Sequence, residues 1–84
     1  MEHQETSTLA DLPIGLEAEV TNIQGDEPLI SRRLMVMGIV PGEKIRIIKT
    51  APLGDPLEVR VSDLNNSLML RRTEARSVIV RYAR

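Results

Sequence analysis

The sequence predicts a mainly β fold, a small barrel of about five short strands with one short α-helix inserted after the first strand. Three observations carry that prediction. Short runs of alternating apolar and polar residues recur along the chain, which is the two-residue period of a half-buried strand. Gly, Pro, Asp and Asn punctuate these runs, so the connections are short turns. Only the stretch from Pro28 to Met37 has helical spacing. In a chain of 84 residues, a sheet of such short strands gains most by closing on itself and removing its unpaired edges.

The elements follow in order. Residues 1–8, MEHQETST, are polar and aperiodic and are expected to form a flexible tail, with the ordered domain spanning 9–84. Leu9, Leu12 and Ile14 surround Pro13 and Gly15 in a bent apolar entry. Leu16, Ala18 and Val20 then alternate with Glu17, Glu19 and Thr21, a strand with one buried face. Gly25 ends it, and Asp26 suits a helix N-cap with Glu27 and Pro28 in the first turn. Ile30, Leu34 and Met37 share one helix face, Leu29 and Val36 widen it, and Arg32 and Arg33 project outward. Gly38 sits where a left-handed cap is needed, and Ile39 is placed to fold back as in a Schellman motif.

Beyond Gly38 the pattern is that of strands. Val40-Pro41-Gly42-Glu43 signals a type II turn, proline at its first central position and glycine at its second. Ile45 and Ile47 face inward between Lys44, Arg46 and an outward Ile48. Pro52, Gly54 and Pro56 mark a loop, since proline has no N–H for a ladder. Leu57, Val59 and Val61 form the next buried face, 62–66 hold turn-forming Asp and Asn, and Leu68 and Leu70 begin a fourth strand. Thr73-Glu74-Ala75 is a brief turn with room for one turn of 3₁₀ helix, before Val78, Val80 and Tyr82 close the sheet. The core is expected from Val20, Ile30, Leu34, Ile45, Ile47, Val59, Leu68, Leu70, Val78 and Val80.

Composition excludes several chemistries. The chain has no Cys, Trp or Phe, one Tyr (Tyr82) and one His (His3). A disulfide framework, a thiolate metal site, a cysteine nucleophile and a Ser-His-Asp triad in the ordered domain all drop out. One aromatic makes no stacking platform, and a net charge of −1 does not fit the neutralisation of many phosphates, so nucleic acid is not expected as a partner. Met35 and Met37 are two apart on a helix and cannot face one metal, and His3 with Glu2 and Glu5 lies in the expected tail. No metal or cofactor is expected. The start carries no basic-then-apolar leader, and no run reaches the roughly 18 apolar residues of a spanning helix, so the expectation is a cytoplasmic protein without direct membrane insertion.

Charge is sorted along the sequence. The first 27 residues hold seven acids and no Lys or Arg, whereas the rest hold eleven basic and five acidic residues. This leads to an expectation of an acidic and a basic face, with the partner on the basic one. Arg32-Arg33 and Arg71-Arg72 are the paired cations, and paired arginines can grip carboxylates bidentately. The loop PLGDP lacks any phosphate-loop signature, but its stiffness and the apolar Leu53 at its tip suit docking. The candidate partner-binding set is therefore Arg32, Arg33, Leu53, Gly54, Asp55, Pro56, Arg71 and Arg72. Outward Ile48, Met69 and Ile79 would add an apolar patch for a partner or a second copy if they cluster.

The entry LADLPIG, the helix end RRLMVMGIVPGEKI, the loop APLGDPLEV and LRRTEA followed by Val78 and Val80 resemble the FeoA family, over Leu9 to about Tyr82. The resemblance implies an SH3-like barrel, a fold that also occurs as the C-terminal domain of iron-dependent repressors. It implies a non-enzymatic accessory protein of ferrous iron transport, partnered with the transporter FeoB through its cytoplasmic G domain. Transition metal ion binding enters only at the level of the family. The alternative is a stand-alone SH3-like regulatory module that binds a peptide or a regulator. Asp63-Leu64-Asn65-Asn66-Ser67 departs from the glycine and β-branched residue common there in the family.

Overall fold

A computed structural model describes residues 3–61 and 67–83. It contains strands β1 (Gln4–Thr8), β2 (Glu17–Ile23), β3 (Lys44–Thr50), β4 (Leu57–Val61), β5 (Ser67–Leu70) and β6 (Val78–Ala83). A 3₁₀ turn covers Leu9–Asp11, and two helices, α1 (Pro28–Val36) and α2 (Arg72–Ala75), interrupt the strands. All strand pairs are antiparallel, in the order β1-β6-β2-β3-β4-β5. The mainly β class and the helix ahead of the central hairpin match the sequence pattern.

One difference concerns the N-terminus. Residues 4–8 are not a tail but a sixth strand, paired with β6 from Gln4 opposite Ala83 to Thr8 opposite Ile79. QETST carries almost no apolar signal because most of its stabilisation comes from backbone pairing on an edge, which sequence periodicity does not report. The ordered chain therefore begins ahead of Leu9, and the strand count rises from five to six.

Alternation then builds the core. Ala18 and Val20 of β2, Ile45 and Ile47 of β3, Leu57, Val59 and Val61 of β4, Leu70 of β5, and Val78 and Val80 of β6 are all buried. Leu9, Ala10, Leu12, Leu34, Ile39 and Ala75 complete the cluster from the turns and helices. Ile30 and Leu68, expected in the core, are only partly buried against it. The ladder is interrupted between Val20 and Asn22 and between Ile47 and Lys49, where single extra residues bend the strands.

The turns behave as their residues dictate. Glu43 N–H donates to the Val40 carbonyl across the 40–43 turn, with Gly42 at φ +96°. At the end of α1, Ile39 N–H donates to the Leu34 carbonyl and Gly38 N–H to that of Met35, with Gly38 at φ +90°, the Schellman arrangement. The start of α1 is shifted by one residue from expectation. Glu27, not Asp26, is the N-cap, and its side chain makes no capping bond, so Pro28 in the first turn carries the start signal. The brief turn at 73–75 is a single α-helical turn rather than 3₁₀. The turn 62–66, including the departure from the family pattern at 63–66, lies outside the described residues.

β1 and β5 stand at opposite ends of the strand order and do not pair among the described residues. β1 leads into the 3₁₀ turn and β5 into α2, and these two short elements pack on one another. The seam of the barrel is thus spanned by side chains and turns instead of a ladder.

Candidate interaction surface

The region around that seam gathers most of the sequence-predicted residues. Arg72, the first residue of α2, extends its guanidinium between two backbones. Its Nη1 donates to the Ala10 carbonyl at 2.7 Å, and its Nε and Nη2 donate to the Gly54 carbonyl at 3.1 and 2.8 Å. The Arg72 N–H donates to Asp55 Oδ1 at 2.9 Å. Arg72, Gly54 and Asp55 therefore form a framework that fixes the 51–56 loop. The structure brings these three together, with their polar groups turned on each other.

The loop has its own closure. Ala51 N–H donates to the Pro56 carbonyl at 3.0 Å, and Gly54 N–H to the Ala51 carbonyl at 2.7 Å, with Gly54 at φ +85°. Pro52 and Leu53 occupy the central positions of this turn, which pushes Leu53 to the tip at 97% exposure. A large apolar side chain held in water on a hydrogen-bonded loop has little backbone entropy left to lose in any contact it makes. Arg71 lies beside Asp55 and Pro56 along a shallow depression.

Helix α1 joins this region through Glu74, a residue missing from the predicted set. Glu74 is buried, accepts the Arg71 N–H on Oε1 at 2.9 Å, and faces Arg33 Nη1 from Oε2 at 3.3 Å. A buried carboxylate requires such partners; Arg71, at the N-cap, is not one of the residue types that mark a capping box, so the sequence held no signal for this role of Glu74. Arg33 is thereby drawn toward α2, with most of its side chain still in water. Arg32 points elsewhere, onto a groove shared with Asp26, Ser31, Met35 and Val36.

Leu29 and Val36 do not widen the buried face of α1. They are 77% and 82% exposed, and Met35 is 57% exposed. Nine residues of α1 bury one side chain fully, Leu34, and leave an apolar outer surface flanked by Arg32. Ile48, Met69 and Ile79 do not assemble into one depression: Ile48 lines a recess with Arg46 and Arg60, Met69 lines another with Pro52 and Pro56, and Ile79 lines neither.

The charge split does not produce two faces. β2, which carries Glu17 and Glu19, lies between β3 and β6, so its carboxylates meet the later basic residues across the ladder. Glu19 Oε1 lies 3.5 Å from both Lys44 Nζ and Arg81 Nη2, and Glu17 Oε2 lies 3.7 Å from Arg46 Nη2. Among the described residues no three His, Cys, Asp or Glu side chains converge to hold a metal ion, and no helix is long and apolar enough to cross a membrane.

Comparison with known proteins places this geometry in context. The family model of the FeoA domain matches residues 7–82. A Porphyromonas gingivalis protein, the Fe(2+) transport protein A/Fe(2+) transporter FeoB fusion protein, is 35% identical over 72 residues, 86% of this chain and 8% of its own length. The chain thus spans less than a tenth of that relative. The crystal structure of Stenotrophomonas maltophilia FeoA complexed with zinc is 36% identical, covers 88% of each chain and superposes with a TM-score of 0.76. That protein is described as a prokaryotic SH3-domain protein and a candidate activating factor of bacterial ferrous iron transport. A manganese-dependent transcriptional repressor in complex with manganese superposes with a TM-score of 0.82 over 94% of this chain and 37% of its own, at 16% identity, a likeness of fold alone. With the family model covering nearly every described residue and the SH3-like architecture shared with these structures, the chain belongs to the FeoA family of ferrous iron transport proteins.

Proposed function

We propose that this chain is a non-enzymatic accessory protein of ferrous iron transport that acts in the cytoplasm by docking on the cytoplasmic part of a FeoB-like transporter, at its G domain. One observation carries the reading: a relative 35% identical to this chain joins such a domain to FeoB in a single polypeptide. Two parts that work together in one chain are held at high effective concentration, and separate chains must replace that tether with an interface. The surface best suited to it consists of the Leu53 tip, Pro56, Arg71 and the exposed side of Arg33, extended by Arg32 and the outer apolar side chains of α1. An exposed apolar anchor on a fixed loop, with exposed arginines on the neighbouring elements, has the composition of an interface hot spot.

Leu53→Asp and Arg33→Glu test it directly. Pull-down with the cytoplasmic domain of the transporter is expected to fall at least about tenfold in Leu53→Asp, where a desolvated anchor becomes a charge. Arg33→Glu places a second carboxylate opposite Glu74 and is expected to weaken binding too. Undiminished capture in both variants removes this surface from the reading.

A further inference from the structure

The outer face of the sheet is organised in rows that follow strand register. In one row Glu19 sits between Lys44 and Arg81. In another Lys49 stands opposite Glu58, with Nζ 3.7 Å from Oε1. Both rows pair each cation with a carboxylate, as cross-strand neighbours favour. Between them along β3 runs a third row, Glu17, Arg46, Arg60 and Ser67 across β2, β3, β4 and β5. There two arginines are direct cross-strand partners.

Like charges directly opposite destabilise a strand pair. Glu17 offsets one of them, at 3.7 Å from Arg46, and Arg60 has no ion-pair partner among the described residues. Both arginines line a recess of about 190 Å³, together with Glu17, Lys44 and Ile48. Arg60 is the charge left uncompensated, and an oxyanion seated between the two side chains would neutralise it while accepting N–H donors from both. A phosphate group offers three acceptor oxygens for those donors and a carboxylate only two.

We propose that Arg46 and Arg60 together hold the phosphate group of a small soluble molecule in this recess. Each planar guanidinium presents parallel N–H donors that match a phosphate edge, and Ile48, which lines the same recess, offers an apolar contact to whatever the phosphate is attached to. The site is at the end of the β3–β4 hairpin away from the 51–56 loop, because Ile45 pairs with Val61 at one end and Thr50 with Leu57 at the other. It stands independently of transporter docking.

Amide NMR of the full chain, titrated with sodium phosphate at pH 7.5 against sodium chloride at matched ionic strength, tests the proposal. Saturable shifts centred on Arg46, Ile48 and Arg60 are expected, with affinity reduced at least about tenfold in Arg60→Gln and in Arg46→Gln. In chloride, Arg60→Gln is expected to unfold no lower than the parent, since a repulsion has been removed, so a lost response there reads as lost binding. Equal shifts with chloride, an equal response to sodium glutamate, or a full response in Arg60→Gln would each overturn it.

Discussion

Replacing Arg72 with alanine removes the one side chain among the described residues that hydrogen-bonds to both the 51–56 loop and the 3₁₀ turn. Its three N–H donors serve two carbonyls, those of Ala10 and Gly54. Bonds from a charged donor are worth roughly 1.5–3 kcal/mol each when enclosed. Arg72 is only partly buried, so water replaces part of each bond in the variant, and about 1 kcal/mol per carbonyl is the appropriate scale. The expected cost is about 2 kcal/mol, which for a domain of this size lowers the thermal midpoint by roughly 8–16 °C. Urea unfolding followed by far-ultraviolet circular dichroism measures it, since the chain has no Trp. Arg72→Lys keeps the charge but cannot span both carbonyls, and is expected to recover less than half of the loss. Arg76→Ala, at an exposed residue of the same segment with no side-chain partner among the described residues, serves as the control at within about 0.5 kcal/mol. A loss under about 0.5 kcal/mol for Arg72→Ala, or full recovery by lysine, would refute the bridging argument.

Leu34→Ala, at the single fully buried side chain of α1, is expected to cost about 3–5 kcal/mol and, given the small margin of such a domain, to leave it largely unfolded at 37 °C by circular dichroism. Gly38→Ala puts a Cβ on a residue at φ +90° and is expected to cost about 1 kcal/mol, read as a shift of the urea midpoint without a change in slope. Deleting residues 1–8 removes one of the two strands paired with β6, and faster hydrogen exchange of the β6 amides that face β1 together with a lower thermal midpoint are expected; a variant as stable and as protected as the parent would return those residues to the status of a tail.

Much of the fold was legible because local signals agreed with one another. Gly42 and Gly38 require positive φ, and the turn and the helix cap form where they stand. Leu57, Val59 and Val61 alternate without interruption, and β4 buries all three. What escaped was non-local. β1 has a polar sequence that becomes a strand only because β6 offers an edge, and Leu29 and Val36 fit a helix face by spacing yet find no neighbour to cover them. The charge split misled for the same reason, since strand order interleaves what sequence order segregates. In the candidate surface, residue types pointed to the loop and the arginines, but not to the division of labour among them. Arg72 is consumed by backbone carbonyls, Arg33 is shared with Glu74, and Leu53 is left in water.

The pairing of β1 with β6 has a further consequence for how such a domain is built into longer polypeptides. Gln4 lies opposite Ala83, so the entry and the exit of the chain are cross-strand neighbours about 5 Å apart. Two or three glycines and serines would join them without strain, and a circular permutant opened between Leu53 and Gly54 should refold with its sheet intact. The same adjacency means that a neighbouring domain attached at either end emerges from one place on the surface. Order within a fused polypeptide is then free to change while the sheet and the 51–56 loop stay as they are.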